Sequence, residues 1–168
     1  MRARVLAPVL AAVVLAGCYD APLGPASLPF DAHLYGEWRC LSVRDSDEPL
    51  GVLRIVPFDA NHGELTCLKG CEGDTLHYRL HVTKLKEVTL LNAQAVEDGK
   101  PTGTWNFLRY ALHRPTVLDV RSIHDEVFKG VPETSEALRA ALEKHVTDDA
   151  TYDDDLVCVK AGAAGETR

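Results

Sequence analysis

From Thr75 to Leu85 the chain reads TLHYRLHVTKL. On an extended backbone Tyr78, Leu80 and Val82 share one face, and His77, Arg79, His81 and Thr83 share the other. Successive strand side chains point to opposite sides, so this alternation predicts a half-buried strand with its histidine face in water. The pattern repeats outward in both directions. Upstream, strands are expected over residues 37–43 (Trp38, Cys40 and Ser42 on one face), 50–57 and 64–69, with turns at 59–63 and at Gly70 and Gly73. Downstream, strands are expected over 88–96, 104–112 and 116–123, with turns at 97–101 and 113–115. One helix interrupts the series. Thr134 and Ser135 offer a hydroxyl cap, and Leu138, Ala141, Leu142 and Val146 form one stripe at helical spacing. An acidic loop over 148–155 then leads to a last strand at 156–159. The fold class is therefore mainly β: an antiparallel meander of about eight strands closing to a barrel, or a β-sandwich, with one helix before the final strand.

Gly36-Glu37-Trp38, at the head of the first strand, resembles the G-x-W signature of the calycin superfamily, the lipocalin-like barrels. The helix beside the final strand and the stretch Trp105-Asn106-Phe107-Leu108-Arg109-Tyr110 are similar to small bacterial lipocalin-like lipoproteins. The likeness spans roughly residues 34–160, while the family's second signature, T-D-Y, is absent. It implies an up-and-down barrel closed at one end by Gly36 and Trp38, with a late arginine, Arg109 or Arg121, packed on the tryptophan. In a sandwich Trp38 would instead be an ordinary core residue.

The N-terminus carries a second resemblance. Met1-Arg2-Ala3-Arg4 is basic, Val5 to Leu15 is apolar apart from Pro8, and Ala16-Gly17 precede Cys18. A basic start, a short apolar run and small residues make a secretory signal, and the run is shorter than the roughly 20 residues that span a bilayer. Leu15-Ala16-Gly17-Cys18 resembles the bacterial lipobox, which implies cleavage after residue 17 and acylation of Cys18, with palmitate among the chains attached. Each buried methylene contributes about 0.8 kcal/mol, so two or more chains hold a protein durably at a membrane. Residues 18–33, rich in proline, glycine and small side chains, read as a flexible tether, and 161–168 as a disordered tail. The family places Asp directly after a retained cysteine for the inner membrane. Tyr19 occupies that position here, which favours the outer membrane of the cell envelope.

Cleavage would lower the 18 basic residues to 16 against 25 acidic, a formal charge of −9. That disfavours nucleic acid and anionic lipid surfaces as partners, since both need basic patches. The bilayer, reached through Cys18, remains, with a small apolar ligand or an envelope protein as the further partner expected. Cys40, Cys67, Cys71 and Cys158 are even in number, and an exported chain meets an oxidising compartment. Three pairings are open. Cys67 with Cys71 would close a hairpin, and Cys40 with Cys158 would join the first and last strands and constrain the unfolded chain most.

Signs of chemistry are sparse. His77 and His81 stand about 13 Å apart along a strand, too far to share an ion, and read as solvated surface residues. Asp148, Asp149, Asp153, Asp154 and Asp155 lack the glycine turn and final glutamate of a calcium loop. No metal and no cofactor is expected. Ser42 and Ser122 have no evident base beside them, His124-Asp125-Glu126 reads as a charged strand end, and hydrolase, metalloprotease, phosphate-loop and dinucleotide motifs are missing. The leading expectation is a non-enzymatic envelope lipoprotein, membrane-anchored, with a small apolar ligand in its barrel. A structural or protein-interaction lipoprotein with a solid core is the alternative, and an enzyme or inhibitor displayed at the membrane is the third.

Overall fold

A computed structural model describes residues 19–43, 49–70 and 76–162. The expected signal segment, Cys18, Cys71 and residues 163–168 lie outside these. Eight strands close into one antiparallel barrel in chain order: β1 (Gly36–Ser42), β2 (Pro49–Pro57), β3 (His62–Lys69), β4 (His77–Leu85), β5 (Val88–Glu97), β6 (Lys100–Arg114), β7 (Val117–Ile123) and β8 (Tyr152–Lys160). Helix α1 (Ser135–Glu143) lies between β7 and β8. The sandwich alternative is thereby excluded. From β1 to β7 each strand pairs with the next in the chain, and tight turns such as Asp98-Gly99, where both residues take positive φ (50° and 73°), help set the register; β8 follows the helical excursion and closes onto β1.

The last strand begins earlier than its sequence suggests. Ser122 pairs with Asp153 and Ile123 with Tyr152, so 152–155 extend the sheet where an acidic loop was expected. Pairing with β7 overrides the weak strand propensity of aspartate. The helix is correspondingly shorter, with Val146 buried just beyond its end. Its start is as read: the Thr134 hydroxyl accepts from the Ala137 amide at 3.3 Å.

Two apolar clusters lie on the two sides of the barrel wall. Inside are Trp38, Cys40, Ile55, Leu80, Val82, Leu91, Ala93, Leu118, Val120 and Cys158. Outside, Leu85, Leu90, Phe107, Ile123 and Tyr152 from the strands pack under Leu138 and Leu142 of α1 and under Leu23 of the N-terminal segment. The Cys40–Cys158 disulfide joins β1 to β8 at directly opposed residues, 118 apart in sequence. Cys67 is also disulfide-bonded, to a cysteine outside the described residues.

The residues read as a flexible tether are packed instead. Tyr19 exchanges backbone hydrogen bonds with Trp105 (3.0 and 2.8 Å). The Leu23 amide donates to Asn92 Oδ1 at 2.8 Å, and His81 Nε2 meets the Gly24 carbonyl at 2.9 Å. Leu23 and Phe30 are buried, at 1% and 6% exposure. The composition suggested freedom, but Tyr19, Leu23 and Phe30 supply enough apolar area to hold the segment down, and side chains of the barrel wall satisfy its backbone. We call residues 19–34 the strap.

Candidate functional site: the barrel lumen and its strap

The strap runs the length of the barrel. It starts on β6 at Trp105 and crosses β5 at Asn92 and β4 at His81. It then reaches the β2–β3 turn, where Phe30 donates its amide to the Ala60 carbonyl at 3.1 Å. There a turn of 3-10 helix, Ala32–Leu34, capped by the Asp31 carboxylate on the His33 amide, leads into β1. Phe30, Leu34 and Tyr35 close this end of the barrel, with the Phe30 and Tyr35 rings stacked at 5.4 Å. Gly63 admits the plug, since a Cβ there would meet the Phe30 ring at 2.7 Å. Trp38 stands above it, 1% exposed, and donates Nε1 to the Leu34 carbonyl at 2.8 Å.

The expected arginine is not on this tryptophan. Lys160 Nζ lies 5.1 Å from the Trp38 ring centre and 3.1 Å from the His33 carbonyl. Its stem lies against Gly36, whose φ of +129° and missing Cβ admit the contact. Arg109 and Arg121 point outward and stand over Tyr152, with Asp149 between them at 3.3 and 2.7 Å. The hydrogen bond and charge of Arg121, with Arg109 beyond it, hold the Asp149 carboxyl below its ordinary range. That aspartate, once a weak calcium candidate, therefore serves an ion pair. Among the described residues no three His, Cys, Asp or Glu side chains gather as a metal site.

Away from the plug the lumen changes character. Ser42, Leu53, Leu65, Tyr78, Ala95, Thr104, Leu108, Ser122 and Leu156 sit at inward positions by register, yet all remain only half-buried. In a barrel sealed by continuous hydrogen-bonded strands, an inward side chain meets water only from the lumen. Asn106, 4% exposed, also faces inward, opposite Ala93, and its Oδ1 has no hydrogen-bond partner among the described residues. A buried acceptor left unpaired costs about 1–3 kcal/mol. Deeper, Tyr110 reaches Asp31 Oδ2 at 3.3 Å, and burial with that carboxylate pushes its hydroxyl far above the usual phenol range. At the rim beyond Ser122, His124 Nδ1 meets Asp153 Oδ2 at 3.0 Å. A histidine and carboxylate do come together, a pairing the linear sequence concealed because 28 residues of helix and turn intervene.

No protein-family model, curated protein or solved structure matches this chain.

The histidine face of β4 is only partly solvated, contrary to expectation. His77 is half-buried beside Glu64 (3.7 Å). His81 and Thr83 are buried at 3% and 4%, because the strap and α1 cover them. Thr83 Oγ1 accepts from Asn92 Nδ2 at 2.9 Å, completing a chain from strap amide to barrel wall. The His81 ring lies 5.3 Å from Trp105 and 5.9 Å from His62. Burial depresses its pKa below the ordinary histidine value of 6.5, the hydrogen bond to Gly24 opposes this, and the nearby His62 adds to the depression. No residue pattern at 19–34 announced the strap. The one available signal was the set of uncharged apolar residues Tyr19, Leu23, Leu28 and Phe30 spaced through an otherwise turn-rich segment.

Proposed function

We propose that this protein is a bacterial envelope lipoprotein, held at the membrane by acyl chains on Cys18, whose barrel takes up a small apolar ligand without transforming it. The observation that carries the ligand reading is the ring of half-buried inward side chains, Leu53, Leu65, Tyr78, Leu108 and Leu156, above a plugged end. An eight-stranded barrel is just wide enough either to pack solid or to hold one small molecule. Water-accessible apolar residues inside it favour the second. The lipobox-like tetrad supports the anchor, and Tyr19 in the position after the cysteine favours the outer membrane.

Native mass spectrometry of the protein, released gently from membranes, tests the ligand reading. A bound species of a few hundred daltons is expected, and a barrel that never carries one or takes up an apolar fluorophore defeats it. The anchor has its own test. Cys18→Ala should move the protein from the membrane pellet to the soluble fraction, and a variant that still sediments would remove the lipid from the account.

A second reading has its own support. Leu41, Val157 and Val159 lie on the outer face of β1 and β8, and Val56 and Leu68 on that of β2 and β3, all exposed at 36–46%. This half of the barrel is bare where β4–β7 are covered, as a protein-interaction lipoprotein would require.

A further inference from the structure

We propose that the end of the barrel opposite the plug faces the bilayer, with the docked start of the strap fixing that orientation. The inference rests on the lipid at Cys18 proposed above. Consecutive Cα atoms are about 3.8 Å apart, so whatever is attached to Cys18 leaves the molecule beside Tyr19. Tyr19 is not at the end of a loose leash. β7 pairs with β6 only from Leu108 to Arg114, and Tyr19 takes the vacated edge at Trp105. Its ring stacks on Phe107 at 5.0 Å and meets Phe128 edge-on at 4.9 Å, and the Asp20 amide donates to Glu133 at 2.9 Å. The segment therefore has no slack between the proposed acyl chains and the barrel wall. Trp105 lies in the first part of β6, toward the β5–β6 turn, while the plug of Phe30, Leu34 and Tyr35 is at the other end. At a rise of about 3.3 Å per residue and a tilt near 40°, the first and last residues of a seven-residue strand such as β1 lie roughly 15 Å apart along the barrel axis.

The charges near Tyr19 define the surface it meets. Glu97, Asp98, Asp125, Glu126 and Glu133 are exposed there against Lys100 and Lys129. An anionic bilayer would repel this end, so its partner is a zwitterionic lipid surface, approached because the acyl chains hold it there. The half-buried inward residues Ser42, Tyr78, Ala95, Thr104 and Ser122 belong to the same end, so the lumen opens toward the lipid.

The two tryptophans provide the test, since Trp105 is beside the anchor and Trp38 beside the plug. The lipid-bearing protein is reconstituted in phosphatidylcholine vesicles containing lipid spin-labelled at the headgroup, and tryptophan quenching is read. The wild-type protein should be quenched and Trp105→Phe should lose most of that quenching. In the Trp105→Phe background, Lys129→Trp should restore it and His113→Trp, at the plug end, should not. Equal quenching at positions 129 and 113 in lipid-bearing protein overturns the orientation and leaves the anchor standing. An unmodified mass at Cys18 overturns both.

Discussion

His81 sits on the outer face of a strand, where a barrel residue ordinarily meets water, yet the strap buries it to 3% exposure. Its Nε2–H donates to the Gly24 carbonyl as a neutral ring, and burial holds its pKa below 6.5. The sign of the pH effect follows. The unfolded chain takes up this proton first as pH falls, so the stability is complete above 6.5 and is lost as pH drops toward the depressed folded value. Urea midpoints measured downward from neutral pH should fall in the wild-type protein and fall less in His81→Gln. Parallel curves for the two would assign the acid sensitivity elsewhere. The alternation at 78–83 revealed which face His81 takes. It did not reveal its burial, because the covering chain comes from nearly 60 residues upstream, at Gly24. Lys160 was hidden in the same way. Its place on Trp38 depends on β1 and β8 becoming neighbours, and only closure of the sheet makes them so.

At the scale of elements, strands and helix were largely legible because their signals are periodic and local. Alternation located β1 to β7 and a hydroxyl cap located the start of α1. The strap was illegible because it has no period. It borrows its order from groups on the wall, namely Asn92, His81 and the edge of β6 at Trp105. Leu23, at 1% exposure, is its main apolar contact. Leu23→Ala should cost about 3 kcal/mol, the ordinary loss for emptying a buried leucine site. The loss should appear first as faster amide exchange at Leu23 and Trp105, with β1 and β2 amides unaffected. Uniform loss of protection across the whole barrel would mean that the strap does not open as a separate unit.

For the whole molecule, closure is covalent as well as hydrogen-bonded. Cys40 and Cys158 enclose 118 residues of sequence separation, and a loop that long corresponds to about 5 kcal/mol of lost unfolded-state entropy. The paired variant Cys40→Ala/Cys158→Ala should lower the urea midpoint accordingly while its far-ultraviolet spectrum stays that of a β-barrel. An unchanged midpoint would mean that the bridge adds nothing beyond the β1–β8 ladder. Four cysteines in a chain expected to be exported indicated bridges in the sequence, and the β1–β8 register bears out the pairing of Cys40 with Cys158.

That seam also sets an order in time. Strand β1 has no second neighbour until β8 arrives, and β8 is the last of the eight strands. On the proposed export route, the hoop cannot be fastened until β8 has come through the channel. Residues 19–34 would already have emerged, waiting for walls not yet built, since their docking partners on β3 to β6 come later. Exported as proposed, a chain of this design stays open until β8 is across, and only then becomes a closed and oxidised ring.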